Sequence, residues 1–161
     1  MKVVRSICCL FAIIFLISCD DSRVFDQYKT FDDGWSKDSI VTFDFNQTSL
    51  NQKQNLYINL RTNNDYKYDN IFLIVSLEHP NGFTKVDTLQ YKMANPDGTL
   101  LGQGFTDVKE SKLFFKENFK FPKSGKYKIK VQQAVRKTGK IVGEKKLDGI
   151  TAVGFRIEKS T

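Results

Sequence analysis

Beyond position 19 this chain of 161 residues contains no cysteine, because Cys8, Cys9 and Cys19 are its only three. A disulfide-stapled scaffold, a CxxC redox pair and a structural zinc site are thereby excluded from the body of the protein. Histidine is scarcer still. The single one, His79, stands before Pro80 in a turn-like HPNG, away from any GxSxG elbow or HExxH pair, and reads as an exposed turn residue. Phosphate-binding loops are missing too: Gly102 and Gly104 of LGQGF lack the third glycine and the following helix that a dinucleotide fold requires. After residue 19 no window keeps a helical period for three turns. No dense basic block appears, so nucleic acid is not an expected partner.

What the chain has in quantity is aromatic side chains: 14 Phe, 6 Tyr and one Trp, against only 3 Pro and 2 Met. That much bulky apolar surface indicates a folded chain, and the length suits one domain. The formal charge is +7, but two of the 25 basic residues, Lys2 and Arg5, lie in the leader described next, which leaves 23 against 18 acids. An excess of five, spread along the whole chain, is modest.

Residues 1 to 5 carry Lys2 and Arg5 with no acid, and SICCLFAIIFLI follows as an almost unbroken apolar run. This is the basic and then apolar pattern of an export signal. The run covers about a dozen residues, short of the roughly 20 that cross a bilayer, and it meets Asp20 and Asp21 rather than a basic flank. Its border, Leu16, Ile17, Ser18 and Cys19, resembles the lipobox of bacterial lipoproteins. In that family the cysteine sulfur receives a diacylglyceryl group, a peptidase cuts before the cysteine, and the freed amine is acylated. The small Ser18 suits the cleavage pocket. Two or three acyl chains hold a protein to a bilayer in a way that one cannot, since each buried methylene adds about 0.8 kcal/mol. The expectation is a signal peptide over 1–18, a lipidated N-terminus and tether over 19–36, and a folded domain over 37–161.

In the tether, DDSRVFDQYKTFDDGW has no clean period; as a coil it would span roughly 20 to 24 Å. Val24, Phe25, Tyr28 and Phe31 suggest that part of it packs as an edge strand. From Ile40 onward the pattern alternates. Val41, Phe43 and Phe45 face one way and Thr42 and Asp44 the other; Leu56, Ile58 and Leu60 alternate likewise. IFLIVSLE is apolar almost throughout and reads as a central strand covered on both faces. HPNG then turns the chain into VDTLQYKM as its hairpin partner, and NPDG marks a second turn. LFFKENFKF alternates loosely, KYKIKVQQAV cleanly with Tyr127, Ile129 and Val131 inward. RKTGK turns into IVGEKKL, and ITAVGFRIE closes with Val153, Phe155 and Ile157 inward. The expected fold is all-β: a single antiparallel β-sandwich, jelly-roll or immunoglobulin-like, of about eight or nine strands.

Site candidates are few. Asp65, Asp69, Glu78, Asp87, Asp107, Glu110 and Glu117 supply carboxylates, but a glycosidase needs two of them across one cleft, and each reads as a solvated surface acid. Trp35, Tyr57, Tyr66 and Tyr68 would suit a glycan-stacking platform if exposed together; core or rim packing is the plainer use. The stretch NLRTNNDYKYDNIF is the most polar. It lacks the spacing of a calcium loop, so it is read as a turn-rich, partner-binding loop carried by Asn63, Asn64, Asp65, Tyr66, Tyr68 and Asp69. The lysines of KYKIKV read as a solvated strand face. No catalytic residue, metal or cofactor is expected.

The succession CDDSRVFDQYKTF, KDSIVTFDF, LRTNNDYKYDNIFLIVS, MANPDGTLLGQGFTDVKESK, FPKSGKYKIKVQQAVR and GITAVGFRIE resembles the GldH family of gliding-motility lipoproteins of the Bacteroidota. The resemblance runs from Cys19 to nearly the C-terminus. It implies a non-enzymatic envelope lipoprotein needed for gliding, working with the type IX secretion machinery and binding fellow envelope lipoproteins. Only Cys19 carries over as a functional residue. Acids after the lipidated cysteine accompany surface export in these bacteria, so the outer membrane is expected in preference to the inner. The loops Asn63 to Asn70 and Asn95 to Thr106 are the candidate contact surfaces, and a surface glycan-binding lipoprotein is the alternative.

Overall fold

A computed structural model describes residues 20–104, 107–136 and 142–160. Its strands are β1 (Arg23–Thr30), β2 (Trp35–Ser36), β3 (Val41–Gln47), β4 (Gln54–Thr62), β5 (Asn70–Glu78), β6 (Thr84–Lys92), β7 (Lys109–Phe119), β8 (Gly125–Gln133), β9 (Lys146–Leu147) and β10 (Ile150–Lys159). No helix occurs among the described residues. One four-stranded sheet has the order β1-β10-β4-β7 and the second β3-β8-β5-β6, with β2 and β9 as a separate two-stranded ribbon. All neighbours run antiparallel.

The connectivity decides between the two expected sandwiches. Only the β5–β6 hairpin stays within a sheet; every other link between the eight long strands passes to the opposite one, and the first and last strands are neighbours. That is the double Greek key of a jelly roll, whereas an immunoglobulin-like sandwich joins several consecutive strands within one sheet.

The core follows from the alternation. β3 turns in Val41, Phe43 and Phe45, β8 Tyr127, Ile129 and Val131, and β10 Val153, Phe155 and Ile157, all buried. Phe45 is the hub of an aromatic cluster, with ring centroids 5.5 Å from Phe25, 5.8 Å from Phe121, 5.7 Å from Tyr127 and 5.5 Å from Phe155. Such offset and edge contacts add about 0.5–1.5 kcal/mol per pair beyond area burial.

Two expectations change. β5 is central in its sheet, between β8 and β6, but it is covered on one face only: Ile71, Leu73, Val75 and Leu77 are buried while Phe72 and Ile74 stay half-exposed. A two-layer sandwich has no third layer to cover that face. The stretch read as a tether is strand for most of its length, because β1 pairs with β10 from Arg23 to Thr30 as the edge-strand reading suggested. Phe25 packs on Phe45 and Phe155 from that edge. Opposite it, the β6 and β7 edges are tied by a Lys116–Asp87 ion pair at 2.8 Å and by the Tyr91 hydroxyl donating to the Phe114 carbonyl.

The registers define two ends. The start of β1, the end of β10 and the loops 48–53, 79–83 and 120–124 lie at one; the loop residues 31–40, 63–69, 93–104, 134–136 and 142–149 lie at the other.

Candidate functional site

The lipobox, Leu16 to Cys19, lies outside the described residues. Its immediate neighbour does not. Asp20 accepts a hydrogen bond from Ser22 Oγ at 2.6 Å and ion-pairs with Arg156, which lowers its carboxyl pKa to about 2. The chain therefore arrives from position 19 pinned to β10, and enters β1 at Arg23.

Arg156 is itself a junction. Its guanidinium reaches Asp26 at 2.8 Å and Glu158 at 2.6 Å besides Asp20, and Lys112 meets Glu158 at 2.7 Å. Burial works against its charge, but the bonds to Glu158, Asp20 and Asp26 outweigh it and raise its pKa. Burial likewise opposes the charge on Glu158, yet Lys112 and Arg156 hold its pKa below the ordinary value. A second group lies on the same sheet face. The Tyr28 hydroxyl donates to Glu110 Oε1 at 2.8 Å and accepts from Asn59 Nδ2 at 2.7 Å, while Arg61 Nε donates to Glu110 Oε2 at 2.7 Å. Burial first and Glu110 second push the Tyr28 hydroxyl up to about 12. Neither group was foreseen. Residues 28, 59, 61 and 110 meet only through cross-strand register, which no local spacing announces.

At the far end the expected partner loop is well ordered. Asn63 forms an Asx turn, accepting from the Asp65 amide at 3.0 Å, and its own amide donates to the Gly149 carbonyl at 2.9 Å. Gly149 has φ +80, and a Cβ there would stand 2.1 Å from the Tyr66 nitrogen, so only glycine lets the two loops close. Tyr66 is 5% exposed, donates its hydroxyl to the Asn70 carbonyl at 2.8 Å and meets Tyr68 edge-on at 5.6 Å. Burial pushes its hydroxyl pKa far up. Asn64, Asp65 and Asp69 are exposed, Asn63 and Tyr68 half-buried.

The second candidate loop joins the first directly. The Asp69 carbonyl accepts from the Met93 amide at 2.7 Å and from the Ala94 amide at 3.2 Å. Asp97 then caps a turn, accepting from Thr99 at 2.6 Å, and Gln103 pairs with Glu110. Phe105 and Thr106, which close that loop, are outside the described residues. An adjoining cleft is walled by Asp32, Asp33, Asp65 and Asp148 with Lys67 among them. Lys146 pairs with Asp33 at 2.9 Å and with Asp148 at 3.3 Å. Among the described residues no three acids or imidazoles converge as metal ligands.

The other candidates have structural uses. Trp35, Tyr57 and Tyr66 are buried, with Trp35 Nε1 donating to the Ser39 carbonyl at 2.8 Å, so they form no exposed stacking platform. Glu78 pairs with Lys130, Asp87 with Lys116 and Glu110 with Arg61. His79 is not fully exposed as expected: its ring lies 5.3 Å from Phe83 and 5.1 Å from Tyr127, and burial, followed by Lys123, lowers its pKa.

The GldH lipoprotein family matches residues 23–157. Gliding motility lipoprotein GldH of Flavobacterium johnsoniae is 58% identical over 159 residues, 99% of either chain. The gliding motility lipoprotein GldH homolog of Christiangramia forsetii is 52% identical over 151 residues, 94% of this chain and 93% of its own. Among solved structures, the infectious bursal disease virus VP2 subviral particle aligns over 87% of this chain at 14% identity and a TM-score of 0.37. This chain spans 34% of that one, and the score is too low to bear on function.

Proposed function

The chain belongs to the GldH lipoprotein family, and from that premise we propose that it is a lipid-anchored, non-enzymatic envelope protein required for gliding. It binds other envelope proteins, fellow gliding lipoproteins first, and so assembles or stabilises the gliding and type IX secretion machinery. The leader 1–18 is removed, Cys19 carries the diacylglyceryl and N-acyl groups, and the outer membrane holds them.

One observation carries the binding reading. The loops 63–69 and 93–104 are bonded into a single surface through the Asp69 carbonyl, at the end of the jelly roll opposite the one where the chain arrives from Cys19. A protein tethered at one end offers its other end to partners. The exposed Asn64, Asp65 and Asp69 sit there on a buried Tyr66 base, a rigid polar surface of the kind that positions loops for recognition.

The test is crosslinking and affinity capture of the tagged protein from membranes, with and without the pair Asn64→Arg and Asp65→Lys. These side chains carry no core contact, so the variant is expected to fold and localise normally, lose its crosslinked envelope partners and abolish gliding. Unchanged partners and full gliding in that variant would reject these loops as the binding surface.

A further inference from the structure

The end of the fold that receives the chain from Cys19 differs in chemistry from the partner end. Its loops 48–53, 79–83 and 120–124 contain Lys53, Lys120 and Lys123 and not one acidic residue. Lys159 and Arg23 stand beside them, since the Lys159 amide donates to the Ser22 carbonyl and the Ser160 amide to the Lys53 carbonyl. All five cations are exposed, and none forms a side-chain ion pair among the described residues. The acids nearby are largely committed: Asp20 and Glu158 to Arg156, Glu78 to Lys130. Asp21 and Glu117 remain exposed. Two large apolar side chains project from the same loops, Leu50 at 39% and Phe83 at 59% exposure.

The distance to the bilayer is short. β1 begins at Arg23, so only four residue steps separate the first strand from Cys19, a reach of at most about 14 Å. Asp20 is further tied down by Arg156. A domain so closely held keeps this end within a Debye length or two of the headgroups, about 8 Å each at physiological salt, where unpaired lysines feel anionic lipid.

We infer that this end is a second, non-covalent membrane contact: Lys53, Lys120, Lys123, Lys159 and Arg23 bind phosphate-bearing lipid headgroups while Phe83 and Leu50 enter the interface. The contact orients the jelly roll with its partner loops pointing away from the bilayer. It rests on the reading of Cys19 as the anchor for its location and not for its chemistry. The phosphate is that of anionic phospholipid, the lipid on which the test below is built.

The test uses the purified mature chain in vesicles. No cysteine follows Cys19, so Asn81→Cys beside Phe83, or Asn64→Cys at the far end, takes a single fluorophore, and quenching by lipid-borne spin labels reports depth. In vesicles with one third phosphatidylglycerol the label at 81 is expected to be quenched at least about threefold more than the label at 64. The difference should vanish in pure phosphatidylcholine and in the triple variant Lys53→Glu, Lys120→Glu, Lys123→Glu. Equal quenching at the two positions, or a difference that survives charge reversal, overturns the proposal. Intact mass reads acylation separately. A chain without acyl groups rejects the anchor alone; its binding to the same vesicles from solution, lost at least about tenfold on charge reversal, still upholds the surface, and binding indifferent to that reversal overturns it.

Discussion

Arg156 joins Asp20, Asp26 and Glu158 on one sheet face, so removing it takes the cation from Asp20 and Asp26 and leaves Glu158 with Lys112 alone. Arg156→Ala is expected to cost about 2–4 kcal/mol at pH 7, measured by urea unfolding, because partly buried acids lose their partner. The pH dependence has a definite sign. Asp20 and Glu158 bind protons less readily folded than unfolded, so their contribution is present above the ordinary carboxyl values of 3.8 and 4.5 and is lost as pH falls through the folded ones. In Arg156→Ala the acid limb should therefore be flatter; an unchanged slope between about pH 5 and pH 2 would count against the junction. His79 obeys the same sign for another reason: burial and Lys123 disfavour its cation, so stability is full above 6.5 and declines below it. His79→Gln should remove that decline. At Gly149 the φ of +80 and the Tyr66 backbone leave no room for a side chain, and Gly149→Val is expected to cost about 2 kcal/mol or more and expose the Tyr66 amide to hydrogen exchange.

Strands were legible where one face is buried and the other wet. β3 alternates without a fault and β8 does so from Lys126 onward, buried and exposed or half-exposed in turn, so both strands could be read from the residues alone to within a residue or two at their ends. β7 alternates loosely for a physical reason: its pairing with β4 shifts register between Gln54 and Leu56 and again between Leu56 and Tyr57, so side chains change phase. β1 was legible only as an edge segment without bounds, marked by Val24, Phe25, Tyr28 and Phe31, because an edge strand with a register shift between Arg23 and Phe25 buries little and keeps no period. Yet β1 covers the β10 edge and carries Phe25 onto the Phe45 cluster. Deleting residues 21–30 should therefore leave β10 unpaired on one side and yield aggregates in size-exclusion chromatography, whereas a true tether could be shortened without effect. The ribbon of β2 and β9 is two residues long on each side and too short for any periodicity to reveal. Trp35 at its centre is fully buried and stacked on Phe31 at 5.9 Å, so Trp35→Ala is expected to cost about 3–5 kcal/mol in a denaturation curve.

At the scale of the molecule the jelly roll places the entering chain and the bonded loop pair at opposite ends. The loops 63–69 and 93–104, proposed above as the partner surface, share one end, and the chain enters β1 at the other. For the anchor the expected experiment is Cys19→Ala: the protein should leave the membrane fraction and cells should lose gliding, while full gliding by the soluble form would reject the tether as necessary. The candidate loop was found by its polarity, but its inner architecture was not. Tyr66, named with the partner-binding loop though core or rim packing was its plainer use, is that loop's floor, buried where the loop closes against Gly149.

The residues by themselves determined the basic-then-apolar pattern and lipobox-like border at the N-terminus, the lack of thiols after position 19, the strand alternation and the all-β class, since each of these depends on neighbours along the chain. Family resemblance was legible there as well. What only the tertiary structure decided is which strands are neighbours, hence jelly roll over immunoglobulin-like order, the Arg156 and Tyr28 networks, and the joining of two distant loops through Asp69. Those depend on contacts between residues tens of positions apart, and in a sheet such contacts are set by register and by closure of the whole core, which no local pattern encodes.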